Sequence, residues 1–119
     1  MSKQRLFDKE AIIVADTTWK RALGLMFRKQ PKPLVLVFRG EARHSIWMLF
    51  MRFPIDLVFL DSQHRVVTIH ENIKPISFDP ATWGIYRPSK PAKYALEVAA
   101  GWVAGSKIVE GDRLDLGLV

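Results

Sequence analysis

The chain contains no cysteine. That absence excludes disulfide frameworks, thiolate zinc sites, thiol redox chemistry and cysteine nucleophiles together. Histidine is nearly as scarce, with His44, His64 and His70 as the complete set. None falls in an HxH or HExxH spacing, and His70 and Glu71 are adjacent, so on a strand they point to opposite faces. No metal site and no cofactor are expected. Neither GxSxG nor SxxK surrounds any serine, and the scattered glycines form no GxGxxG and no P-loop. Long apolar runs are also missing. The most apolar stretch ends at Arg52, well short of a membrane span. The start, MSKQRLFDKE, carries charge with no apolar stretch behind it, so a cytoplasmic location is expected.

What is present is one domain's worth of ordinary globular composition. The 119 residues are 49% hydrophobic and 25% charged, and we expect a single domain over 1–119. The net charge of +6 is unevenly spread. Lys20, Arg21, Arg28, Lys29, Lys32, Arg39, Arg43 and Arg52 face Glu41 alone, whereas the last stretch is closer to acidic. Such asymmetry suits a solvated basic face, with weak polyanion binding through Arg28, Lys29 and Lys32 as the functional reading.

The patterning is that of a mainly β protein. One amphipathic helix is expected over 16–29: Asp16 or Thr17 caps it, and Trp19, Ala22, Leu23 and Met26 share one face. Pro31 and Pro33 stop it. Beyond it the chain turns to strands, at 34–38, 45–51, 55–60, 66–73, 83–87, 94–98 and 113–118, after a first short one at 11–14. Asp61-Ser62-Gln63-His64 is a hairpin turn, and the small residues of 99–106 form one or two helical turns. Short strands at close spacing predict an antiparallel β-sandwich or partly closed barrel, with one N-terminal helix and a short C-terminal helical segment.

The chemistry centres on Asp56, a carboxylate inside the run IWMLFMRFPIDLVFLD. A buried charge is costly unless paired or hydrogen-bonded. Glu97 stands in a similar strand-like context. The two carboxylates are candidates for an acid/base pair in a hydrolase. The competing reading has each neutralised by backbone amides or by an arginine, with Arg21 the obvious partner. Trp47 and Met48 open the most apolar run and suit an apolar cleft.

Several motifs in order then resemble one known family. Thr17, Arg21-x-x-Gly24-Leu25-Met26-Phe27-Arg28, Trp47-Met48 and Pro54-Ile55-Asp56 through Phe59-Leu60-Asp61 form the first part. Pro88-Ser89-x-Pro91-Ala92-x-Tyr94-x-Leu96-Glu97, Gly101 and Gly111-Asp112 continue it. The pattern is similar to that of the domain of unknown function 192 family from about residue 15 onward. The resemblance implies a compact β-rich domain with one N-terminal helix, and it brings no assigned chemistry. This chain departs from the family at Leu49-Phe50-Met51, where polar residues usually follow the Trp-Met pair, which implies a more apolar ligand. The preferred expectation is therefore a non-catalytic module binding a small ligand or peptide in an apolar cleft rimmed by Arg21, Trp47, Met48, Asp56 and Glu97. The alternatives are the Asp56/Glu97 hydrolase and a nucleic-acid-associated protein using the basic region.

Overall fold

The computed structural model of the chain describes residues 3–5, 13–15, 33–43, 46–47, 53–74 and 85–116. In chain order its elements are β1 (Lys3–Arg5), β2 (Ile13–Ala15), β3 (Leu34–Ala42), β4 (Ile46–Trp47), β5 (Ile55–Leu60), β6 (Val66–Ile73), β7 (Ile85–Tyr86), β8 (Ala92–Ala99), α1 (Trp102–Ser106) and β9 (Arg113–Asp115). The central sheet has the order β2-β3-β8-β5-β6, and β1-β9 and β4-β7 form two short ladders. The fold is mainly β, largely antiparallel, with one short helix among the described residues. Among the described residues the five central strands do not close on themselves, with β2 and β6 as the outer strands.

Antiparallel pairing dominates, as expected, and two parallel pairings add to it. β2 runs parallel to β3, and β1 runs parallel to β9. A parallel pair needs a crossover of a dozen or more residues, and 16–33 and 6–112 supply that length. The helix expected over 16–29 lies outside the described residues. The strand at Lys3–Arg5 is an element that polar residues gave no reason to expect.

Both faces of the central sheet are covered, which explains why β5 reads as a near-continuous apolar run. All six of its residues are buried. Residues directly opposite one another in an antiparallel ladder share a face, so the register sorts the core into two layers. Leu34, Leu36, Leu57, Phe59 and Ala95 lie on one face, with Phe38, Phe53 and Tyr86 packed against them. Val35, Val58, Leu96 and Val98 lie on the other, where Val103 of α1 and then Ile108, Leu114 and Leu116 cover them.

The turn between β5 and β6 falls where the sequence places it. Asp61 Oδ1 accepts the amides of Gln63 (2.9 Å) and Arg65 (3.0 Å), and His64 takes the left-handed conformation with φ 64°. An aspartate at the first position supports such a turn by holding backbone amides two and four residues on. The segment after α1 then runs along the start of β6: Val66 donates to Asp112 O, Gly111 to Val66 O and Leu114 to His64 O.

Candidate functional site

Asp56 and Glu97 are the buried charged residues among those described, at 0% and 5% exposure. They lie on opposite faces of the sheet. Asp56 stands opposite Val98, in the layer beneath α1, whereas Glu97 stands opposite Leu34 on one side and Leu57 on the other. The hydrolase reading needed both carboxyls at one substrate, and a β-sheet separates them. Alternation along β5 and β8 is the physical reason: Asp56 pairs with residue 98, so residue 97 must point the other way.

Asp56 is satisfied by the backbone. Its Oδ1 accepts the amide of Asn72 at 2.8 Å, and its Oδ2 accepts those of Gly101 at 3.1 Å and Val103 at 3.0 Å. Each of these amides needs an outside acceptor. The β5–β6 register slips between Ile55 and Leu57, so Glu71 and Asn72 both stand against Asp56, a bulge in which Asn72 has φ 53°. Gly101 is the N-cap of α1, with φ 93° and no side chain to cap the helix. Asp56 therefore serves as a remote cap, taking the N–H groups that the first helical turn leaves without partners. Backbone amides, one of the two partners foreseen, neutralise the carboxylate. Arg21, the other, lies outside the described residues.

Glu97 is different in kind. A row of side chains crosses the sheet as Leu34, Glu97, Leu57 and His70, contributed by β3, β8, β5 and β6. Burial among these apolar neighbours pushes the Glu97 carboxyl up from 4.5 to about 7. Among the described residues it accepts no hydrogen bond and joins no ion pair. No fully buried side-chain oxygen there lacks a partner, so the residual exposure of Glu97 includes its carboxyl oxygens. The group is thus enclosed, with only a trace of exposure. His70, farther along the row, stacks edge-on against Tyr86 (5.3 Å between ring centroids) and Phe59 (6.2 Å), with Nε2 3.3 Å from Arg87 O.

The other expected site residues are distributed as follows. Trp47 has its backbone in β4, paired with Ile85, and Tyr86 of the same ladder packs against the Glu97 layer. Met48, Arg28, Lys29 and Lys32 lie outside the described residues. Arg43, also part of the basic region, donates from Nε to Pro88 O at 2.9 Å. No cluster of three or more metal-ligating side chains occurs among the described residues. Sequence reasoning missed an open groove of about 500 Å3 between β6 and α1, lined by Ile69, Glu71, Val103, Lys107, Val109 and Glu110. No local sequence pattern marks it; in the structure Val109, one of its lining residues, is 59% exposed.

A mainly β domain whose described residues hold one short helix, a buried structural aspartate and a buried glutamate with no partner among them is the class of protein that fold and site define. The chain belongs to the DUF192 family (Uncharacterized ACR), whose model matches residues 2–116. It is 41% identical to a UPF0127 protein of Pyrococcus furiosus over 85% of this chain and 82% of that one. A UPF0127 protein of Pyrococcus horikoshii is 40% identical over 85% and 83%. Among solved structures, a putative transcription regulator from Sinorhizobium meliloti superposes with TM-score 0.77 at 31% identity, covering 86% of this chain and 78% of that one. A protein of unknown function from Novosphingobium aromaticivorans does so with TM-score 0.75 at 25% identity, covering 86% and 71%.

Proposed function

We propose that this chain is a non-catalytic binding module that takes a small, largely apolar ligand or peptide end on the Glu97 face of its sheet. The observation that carries the reading is Glu97 itself. A carboxyl enclosed by apolar side chains, without a partner among the described residues, contributes nothing to stability and costs desolvation. Groups perturbed in that way concentrate at functional sites. Asp56, once counted with the rim of the cleft, belongs to the scaffold instead, and the acid/base pair is set aside with it. Arg21, Trp47 and Met48 stay in the proposal as candidate ligand residues on the strength of the sequence. The absence of the polar residues usual after the Trp-Met pair favours an apolar ligand in this member.

The test is native mass spectrometry of the purified chain, followed by thermal-shift screening against small apolar compounds. A co-purified small molecule, or a compound whose stabilisation is lost in Glu97→Gln, is the expected result. An empty protein that no compound stabilises sinks the reading.

The similarity to the putative transcription regulator from Sinorhizobium meliloti supports a second reading, in which the basic region contacts nucleic acid. The charge of +6 supports it. A gel-shift series across salt concentration separates the two readings.

A further inference from the structure

The fold gathers basic residues that are far apart in the sequence along the ladder of β1 and β9. We propose that Arg65 and Arg113, paired in space on the solvent side of that ladder, contact the phosphates of a nucleic-acid strand. This rests on the second reading above, that the chain associates with nucleic acid, and it places a contact outside the basic region of 20–52.

Register brings the two arginines together. The Leu114 amide donates to His64 O (2.9 Å) and the Val66 amide to Asp112 O (2.8 Å), so Arg65 and Arg113 face each other between these two bonds. That is the closer of the two kinds of antiparallel pair, with Cα atoms about 4.5 Å apart and side chains on one face. Leu114 and Val66 turn into the core, whereas Arg113 and Arg65, one position earlier on each segment, are exposed. The row continues into β1, where Lys3 is the register partner of Arg113. Three basic residues thus occupy adjacent positions on three neighbouring segments.

Like charges directly opposite one another destabilise a ladder. Among the described residues neither guanidinium joins an ion pair, and Arg113 donates only from Nε, to Gln63 O at 3.2 Å. The acids nearby in the chain have other tasks. Asp112 Oδ2 accepts the Val109 amide at 3.0 Å, and Asp61 Oδ1 accepts those of Gln63 and Arg65. Asp115 stands opposite Arg5 of β1. An anion from outside would offset the repulsion, and the planar guanidinium fork matches phosphate oxygens. Exposure decides the kind of anion. An open row gives a single small ion little enclosure, whereas a nucleic-acid strand offers several phosphates to several cations at once. With segments about 4.8 Å apart the three positions span about 10 Å. A strand carrying one phosphate per about 3.4 Å of helix axis can meet that row at more than one point. The net charge of +6 attracts the same partner at long range.

The test is fluorescence anisotropy of the full chain with a labelled DNA duplex, repeated across salt from about 50 mM upward. Arg65→Gln with Arg113→Gln is compared with Lys74→Gln and Lys90→Gln, which removes the same charge from exposed positions elsewhere. The arginine variant should lose about tenfold in affinity at about 50 mM salt, and its salt slope should shallow by about two, one for each phosphate contact. The lysine variant should stay within about twofold of the parent chain. Equal losses in the two variants overturn the proposal, because bulk charge alone is then at work. Binding that is unchanged in the arginine variant but lost when Arg28, Lys29 and Lys32 are reversed to glutamate overturns it and leaves the basic-region reading standing. No binding by the unaltered chain overturns both. Inorganic pyrophosphate that displaces the duplex beyond the effect of sodium chloride at equal ionic strength overturns the strand as the ligand. Arg65→Gln alone removes no side-chain hydrogen bond among the described residues. It should shallow the slope by about one, which keeps the test decisive if the double variant folds poorly.

Discussion

Two carboxylates, one strand apart in register, illustrate how a buried charge is either neutralised or left in tension. Asp56 holds three backbone amides, and charge-assisted bonds of this kind contribute about 1.5–3 kcal/mol each. Asp56→Asn replaces one accepting oxygen by an amide donor, which must then face either Asn72 N–H or the pair from Gly101 and Val103. We expect a loss of roughly 2–4 kcal/mol in urea unfolding, close to that of Asp56→Ala. An Asn variant as stable as the parent chain would show that the amides do not depend on the charge. Glu97 predicts the opposite behaviour. Its folded pKa of about 7 lies above the ordinary 4.5, so the folded state holds the proton more tightly than the unfolded one. Stability is therefore greatest below about 4.5, falls as pH rises toward 7, and is flat above. The full change from this group is on the order of 3 kcal/mol. Glu97→Gln should flatten the decline between pH 4.5 and 7 and be the more stable chain at pH 8. A parent chain whose unfolding free energy rises across that window by more than the variant's contradicts the sign.

At the scale of elements, α1 is a five-residue helix that begins without a capping side chain of its own. So short a helix is not stable by propensity and depends on packing and on its ends being satisfied. Val103 supplies the packing, Asp56 the N-terminal acceptor, and Gly101 the positive φ that turns the chain from β8 into position. Gly101→Ala meets no steric neighbour at its Cβ, so its effect isolates the backbone conformation. A cost of about 1–2 kcal/mol in thermal or urea unfolding is expected. A neutral outcome would mean that φ near 93° carries no strain in this setting. These elements also mark how far the sequence could be read. β5 and β6 were legible to the residue, because an unbroken apolar run, an Asp-led turn and a second run leave one arrangement. β8 was legible in part and proved longer at both ends, since Ala92 and Ala99 carry little strand signal of their own. The remote cap was not legible: Ala99-Ala100-Gly101 offers the helix no capping side chain, and nothing local points to Asp56, 45 residues away, as the acceptor. Nor were the faces of Asp56 and Glu97, which depend on a β5–β8 register that no local pattern encodes.

For the whole molecule, the open question is what a net charge of +6 does. If it is spread over a solvated surface, it attracts any polyanion without distinguishing sequences. Release of condensed counterions is then the entire driving force, and affinity must fall steeply with salt. Within the basic region, Arg43 has its Nε engaged by the Pro88 carbonyl. Such a residue braces one loop against another, and its guanidinium is less free to follow a phosphate backbone. No aromatic platform interleaves with Arg28, Lys29 and Lys32 in the sequence, so base stacking has no residues to work with there. We therefore expect RNA and duplex DNA to bind alike in fluorescence anisotropy, weakly at about 50 mM salt and not measurably at about 200 mM. Reversal of Arg28, Lys29 and Lys32 to glutamate should shallow the salt slope without altering preference between sequences. Binding that withstands 200 mM salt, distinguishes one sequence from another and collapses on that reversal would instead make the basic region a recognition surface. The Glu97 face would then have to be explained as a secondary property of a nucleic-acid-binding protein.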